Sequence, residues 1–217
     1  MKKLSQRYLV ALIICVISGT LFGYIASSIG NGSIERFDTS IINFVQGMET
    51  SWLTTTLKTF TWIGSGYVVV PVTLIAFFLL YFVYQRRGQA FLFVSVIVGT
   101  ISSNELLKMY FKRERPEIYR IIDAGGLSFP SGHTMMAFSL YAIIAYVLWR
   151  NLKSLGHGVL LILFTIFMIM MIAVSRIYLG VHFPSDIAGG LTASLFLVTI
   201  MILAFEFIQN KMDQKQI

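Results

Sequence analysis

The sequence predicts an all-α fold, an integral membrane bundle of six transmembrane helices with an amphipathic helical segment between the first and the second. Three observations carry this. Of 217 residues, 56% are hydrophobic and only 12% are charged, with a mean hydropathy of +0.76; soluble domains carry about 25% charged residues. Six stretches hold an apolar character over the ~20 residues that a helix needs to cross a bilayer. The length suits one compact helical domain over 1–217 rather than two.

The first span is expected over 8–29, behind Lys2, Lys3 and Arg7. A secretory signal core is typically about 7–15 residues, shorter than this run. An uncleaved anchor helix is therefore expected, despite the small-residue cluster Ala26-Ser27-Ser28. Cys15, the only cysteine, lies within the run, so neither an internal disulfide nor a cysteine metal site is possible. In the next thirty or so residues Ile41, Phe44, Val45, Met48, Trp52 and Phe60 recur at helical spacing, with Gln46, Glu49, Thr54 and Lys58 between them. That pattern fits an amphipathic helix on the membrane surface. A helical hairpin cap without lipid contact would give the same pattern. The remaining spans are expected over 64–84, 89–110, 132–149, 157–177 and 185–207. Met168, Met170, Met171 and the 18 phenylalanines read as packing and lipid contact. Trp52, Trp62 and Trp149 fall near expected interfaces, as anchor residues do.

The net charge is +7, but the basic residues form short clusters between apolar runs, not one polar stripe. Anionic headgroups are therefore the expected partners, and nucleic acid is not. If the N-terminus is cytoplasmic, nine cations lie inside: Lys2, Lys3, Arg7, Arg86, Arg87, Arg150, Lys153, Lys211 and Lys215. Eight lie outside: Arg36, Lys58, Lys108, Lys112, Arg113, Arg115, Arg120 and Arg176. Six of these eight belong to or adjoin the motifs below, where cations have chemical work and report topology poorly. Without them the count favours both termini in the cytoplasm.

Three segments put charge at the ends of apolar helices, where ionisable groups usually face a protein interior or a wet cavity. In the first, Lys108 and Arg115 are seven residues apart, close to two helical turns, so both could share one face just before Pro116. Two cations so placed suit a multiply charged anion. In the second, Pro130-Ser131-Gly132-His133 opens an apolar helix, whose free N–H groups make an anion site. Gly132 would let the backbone approach a ligand, Ser131 adds a hydroxyl, and His133 can move protons near neutral pH. In the third, Ser175-Arg176 is followed by His182, Pro184 and Asp186. Arg176 offers a planar fork for phosphate oxygens. Asp186, in the first turn of the last span, can reach back to His182 and fix its tautomer. Each segment alone has a bland reading as a basic flank, an N-cap or a dipole partner. Alternating spans, however, bring all four helix ends to the same membrane face.

These motifs resemble the type 2 phosphatidic acid phosphatase superfamily of membrane lipid phosphatases. Its three-part signature, K-x6-R-P, P-S-G-H and S-R-x5-H-x3-D, is matched by Lys108 to Arg115-Pro116, Pro130 to His133, and Ser175-Arg176 to His182 to Asp186. The resemblance implies His182 as nucleophile, Asp186 as its orienting partner, and His133 as acid then base. It implies Lys108, Arg115, Ser131, Gly132 and Arg176 as phosphate ligands, with no metal or other cofactor. Glu105 and Asp123 read as salt-bridge or loop residues, and His157 is given no role. The implied substrates are lipid phosphates: phosphatidylglycerol phosphate, phosphatidate or a polyprenyl diphosphate. With both termini inside, the motif residues fall at the extracytoplasmic face, and no obligatory protein partner is expected. A lipid phosphotransferase, or a transporter or binding protein with a vestigial site, are the alternatives. No signature residue is missing, which argues against a vestigial site. The same signature occurs in largely soluble vanadium haloperoxidases, which six apolar spans disfavour.

Overall fold

The computed structural model describes residues 2–117, 119–150, 152 and 154–214. Lys153 and Lys215 of the orientation count lie outside these residues, and the side chains of Lys2 and Lys3 are likewise not described. Among the described residues there is no strand. The helices are α1 (Lys2–Gly30), α2 (Glu35–Gln46), α3 (Ser51–Ile63), α4 (Gly66–Phe78), α5 (Arg87–Phe111), α6 (Gly132–Trp149), α7 (Leu155–Tyr178) and α8 (Pro184–Gln214), and α4 runs on into a π-helical turn over Leu79–Val83.

Among the described residues, six segments are long and apolar enough to span a membrane: Gln6–Gly30, Gly66–Val83, Arg87–Phe111, Gly132–Trp149, Leu155–Tyr178 and Pro184–Met212. They coincide with the six expected spans. The last helix continues past 207 because Gln209, Lys211 and Met212 support helix and neither Gly nor Pro interrupts it. α8 is the common neighbour, packing against α1, α2, α5 and α6. α7 lies against α6 on one side and against α2 and α3 on the other.

The segment between the first two spans is two helices, not one. Thr50, extended at φ −147°, ψ 153°, separates α2 from α3. The buried face of α2 is Asp38, Ile42 and Val45. Phe44 and Trp52 point outward and are 71% and 69% exposed. Large apolar side chains turned away from the bundle suit a lipid-bathed hairpin. α3 ends at Gly64, where a Cβ would lie 2.5 Å from Ile172, so glycine permits the close approach to α7.

Among the described residues two apolar clusters hold the bundle. One joins Val69, Ala90, Phe93, Val96, Leu140, Ile143 and Val198. The other joins Ile42, Val45, Leu57, Ala173, Tyr178, Val181 and Ile187, beside the ends of α5 to α8 that carry the motifs.

Candidate active site

α5 stops at Phe111 because Lys112 turns left-handed (φ 48°, ψ 31°), its N–H reaching the Lys108 carbonyl at 2.9 Å. The expectation that Lys108 and Arg115 share a helix face is therefore corrected. Lys108 sits on the last turn of α5, while Arg115 lies on the loop beyond and folds back. Its Nη1 donates to the Val181 carbonyl at 2.7 Å and to His182 Nε2 at 3.0 Å, and its Nε donates to Gly125 and Gly126 carbonyls, each at 3.1 Å. Burial lowers the pKa of this guanidinium.

Across the same face, Ser131 caps α6, its Oγ accepting from Thr134 N at 3.4 Å and Thr134 Oγ1 at 3.0 Å. Gly132 is required for a reason other than ligand approach: a Cβ there would lie 2.8 Å from Asn104 Oδ1 on α5. Asn104 in turn donates to the Pro130 carbonyl at 3.0 Å and so ties the loop to α5. His133 is half-buried and lies within electrostatic range of Arg176, His182, Arg115 and Lys108. Lys108 lies in range of Arg115, Arg176 and Asp186, and its amine is 3.8 Å from Glu105.

Arg176, on the last turn of α7, is 4% exposed. Its Nη1 donates to Thr61 Oγ1 at 2.5 Å, and its buried Nε has no acceptor among the described residues. A buried, unsatisfied donor is costly, and an anion among these cations would satisfy it.

His182 and Asp186 are almost wholly buried, at 1% and 0% exposed. His182 Nδ1 lies 3.2 Å from Asp186 Oδ2, which also accepts from Phe183 N at 2.8 Å and from Ser128 Oγ. A guanidinium can only donate, so Arg115 assigns Nε2 as the acceptor and Nδ1 as the protonated nitrogen. Burial pushes the imidazole down to about 4 against the pull of Asp186, which keeps it neutral at physiological pH. The result is a neutral ring with its basic nitrogen aimed at a guanidinium.

The loop between α5 and α6 is fixed at several points. Ser128 N donates to Arg113 O at 2.7 Å, and Ile121 N to Leu179 O at 3.1 Å. Gly180 adopts φ +73°, and a Cβ there would fall 1.8 Å from the Tyr119 carbonyl oxygen, so only glycine fits. Phe129 stacks on Phe22 of α1 with centroids 5.6 Å apart and meets Phe111 edge-on at 5.0 Å. On its other side Phe129 lies over Gly189, where a Cβ would be 2.3 Å away.

The structure thus gathers Lys108, Arg115, Ser131, Gly132, His133, Arg176, His182 and Asp186 at one end of the bundle. It adds side chains that motif reading left without a role: Ser128, Arg113, Ser185 and, from α2, Asp38. Asp38 carries a sequence signal, because an acid at four- and seven-residue spacing from Ile42 and Val45 stands on the apolar face of an amphipathic helix.

The PAP2 superfamily profile matches residues 88–210, more than half of the chain. The chain is 28% identical over 177 residues to phosphatidylglycerophosphatase B of Bacillus subtilis (strain 168), covering 81% of this chain and 87% of that protein. It is 31% identical over 132 residues to a candidate undecaprenyl-diphosphatase of Escherichia coli (strain K12), covering 58% of this chain and 62% of that one. The crystal structure of a transmembrane phosphatidylglycerolphosphate phosphatase from Bacillus subtilis superposes with a TM-score of 0.81 at 27% identity, covering 89% of this chain and 96% of that chain.

Proposed function

We propose, from the premise that this chain belongs to the PAP2 superfamily and is a multi-pass membrane lipid phosphatase, that it releases phosphate through a phosphohistidine formed at His182. The observation that carries this reading is the buried His182–Asp186 pair, whose unprotonated Nε2 faces the cations.

Nε2 attacks phosphorus as the bond from phosphorus to the leaving oxygen breaks, and His133 gives that oxygen a proton. Arg115 Nη1 exchanges Nε2 for a phosphoryl oxygen. Arg176 Nε, Lys108 and the Gly132 N–H at the start of α6 bind the other oxygens. Asp186 stays a carboxylate and stabilises the imidazolium. His133 then takes a proton from water, whose oxygen attacks phosphorus. The P–N bond breaks with its electron pair returning to Nε2, and phosphate leaves. Positioning and neutralisation of spread charge supply most of the rate in such transfers. In this scheme the three fixed cations carry the charge, so a chelator should leave turnover unchanged.

The substrate is a lipid phosphomonoester or diphosphate. Phosphatidylglycerol phosphate stands first, since it is named for the relatives that align over most of this chain. The site faces the extracytoplasmic side and both termini are cytoplasmic, as the cations outside the motifs favour. Impermeant thiol labelling of Ser154→Cys and Gln46→Cys in a Cys15→Ser background should mark only the second in intact cells.

The test of mechanism is labelling with phosphate-labelled lipid, quenched in alkaline detergent. Wild-type protein should trap an acid-labile, base-stable phosphoenzyme, and His182→Ala should trap none. Label retained in His182→Ala would refute the nucleophile.

A further inference from the structure

Asp38 is 2% exposed, on the face of α2 that carries Ile42 and Val45. Its Oδ1 accepts from Ser185 N at 2.8 Å, and its Oδ2 accepts from Ser185 Oγ at 2.6 Å and from Arg113 Nη2 at 2.8 Å. The other fork nitrogen of Arg113, Nη1, donates to Asp186 Oδ1 at 2.7 Å and to Ser185 Oγ at 2.7 Å. The guanidinium lies 4.1 Å above the centroid of Phe183, which closes its face. A continuous chain therefore runs from α2 through the loop after α5 to Asp186 at the start of α8, and from there to His182.

We propose that Asp38 and Arg113 are positioning residues that hold Asp186, and through it the His182 imidazole, in line for attack; this rests on His182 being the nucleophile. Neither residue belongs to the matched signature, and neither is required to touch the phosphoryl group. Asp186 Oδ2 is engaged by His182, Ser128 and Phe183, so Arg113 supplies the bond that stops the carboxylate turning about its own axis. Two buried carboxylates, Asp38 and Asp186, share one cation. Only a planar fork can reach both with different nitrogens, and the single ammonium of lysine cannot reproduce the span. Asp38 keeps the fork from collapsing onto Asp186 alone, and its contact with Ser185 N locks the first turn of α8.

The variants Asp38→Asn and Arg113→Lys, with full-length protein in phosphatidylglycerol vesicles, test this. The first is isosteric and the second keeps the charge. Each should lower kcat by about 10–100-fold, as sub-ångström misplacement of a reacting group does, while KM stays within about twofold. Single-turnover phosphoenzyme formation should slow by the same factor. Lysine should not rescue kcat at 113, which a role confined to net charge would allow. Wild-type kcat in both variants, or a loss confined to KM, would overturn the inference, as would collapse of both in thermal unfolding, which would make the pair structural. A wild-type protein that traps no phosphohistidine refutes the parent mechanism. One that traps it while both variants turn over normally refutes only the brace.

Discussion

At the end of the bundle where α5 and α7 finish and α6 and α8 begin, the arginines near the reacting residues are held within the fold. Arg113 spans two carboxylates, Arg115 binds three carbonyls and a histidine, and Arg176 is buried against Thr61. At the opposite end Arg87 and Arg150 are exposed and lie over Tyr81 and Tyr146 at 5.2 and 5.7 Å. Arg150 adds one bond of 2.8 Å to the Tyr146 hydroxyl, beside an open groove of about 1110 Å³ that Arg7 and Glu206 also line. The same residue type thus does two jobs. Held within the fold, arginine fixes the geometry of a site; exposed beside an aromatic ring, it suits a helix end at the headgroups. A cation count along the chain blends the two, which is why the raw tally of nine against eight barely orients the protein.

The sharpest way to break this contrast is at the buried end. His182→Asn should lower turnover by about a thousandfold or more, since a nucleophile acts as part of a unit with its base; steady-state phosphate release measures it. Arg176→Lys removes the fork and the unpartnered Nε while keeping charge. A loss of about 10²–10³-fold in kcat is expected, the size found when one transition-state donor is removed, and wild-type kcat would show that charge alone suffices there.

A smaller effect lies in pH. Burial holds the folded His182 at about 4, whereas the unfolded chain titrates near about 6.5. As pH falls the unfolded state takes up the proton first, so stability should drop between about 6.5 and 4 and level off below. Thermal unfolding across that range should show this slope in wild-type protein and a shallower one in His182→Asn. The His182 limb of the activity profile should appear only as pH falls towards about 4.

The smallest effect belongs to the other end. Arg150→Ala should cost no more than about 0.5–1 kcal/mol, the worth of an exposed charge, with kcat and KM unchanged. A large loss of activity there would dissolve the contrast.

The spans were legible because a bilayer demands apolar runs of fixed length. The pairing of His182 with Asp186 was legible because Pro184 opens a helix and a carboxylate in its first turn can reach back to the residues just before it. Other features hid for physical reasons. Lysine is no usual left-handed residue, so nothing in the sequence announces that Lys112 ends α5 and frees Arg115 from it. Gly132 reads as a ligand-facing glycine until Asn104 is seen against it. Asp38 lies seventy residues before the first motif, and its position in the first turn of α2 is explained equally well by the helix dipole. Only the long-range contact with Arg113 and Ser185 separates the two accounts. The periodicity of Phe44 and Trp52 left a membrane-surface helix and a hairpin cap both open because lipid-facing and protein-facing apolar residues carry the same signal.

α1 supplies no group to the chemistry, yet Phe22 braces the ring of Phe129, which is wedged against Gly189 of α8 and sits between Ser128 and Pro130. The first helix is therefore a chock behind the strip of chain that carries the hydroxyl held against Asp186. A protein trimmed of that helix would keep every reacting atom in its sequence and still lose the backstop that keeps them in register.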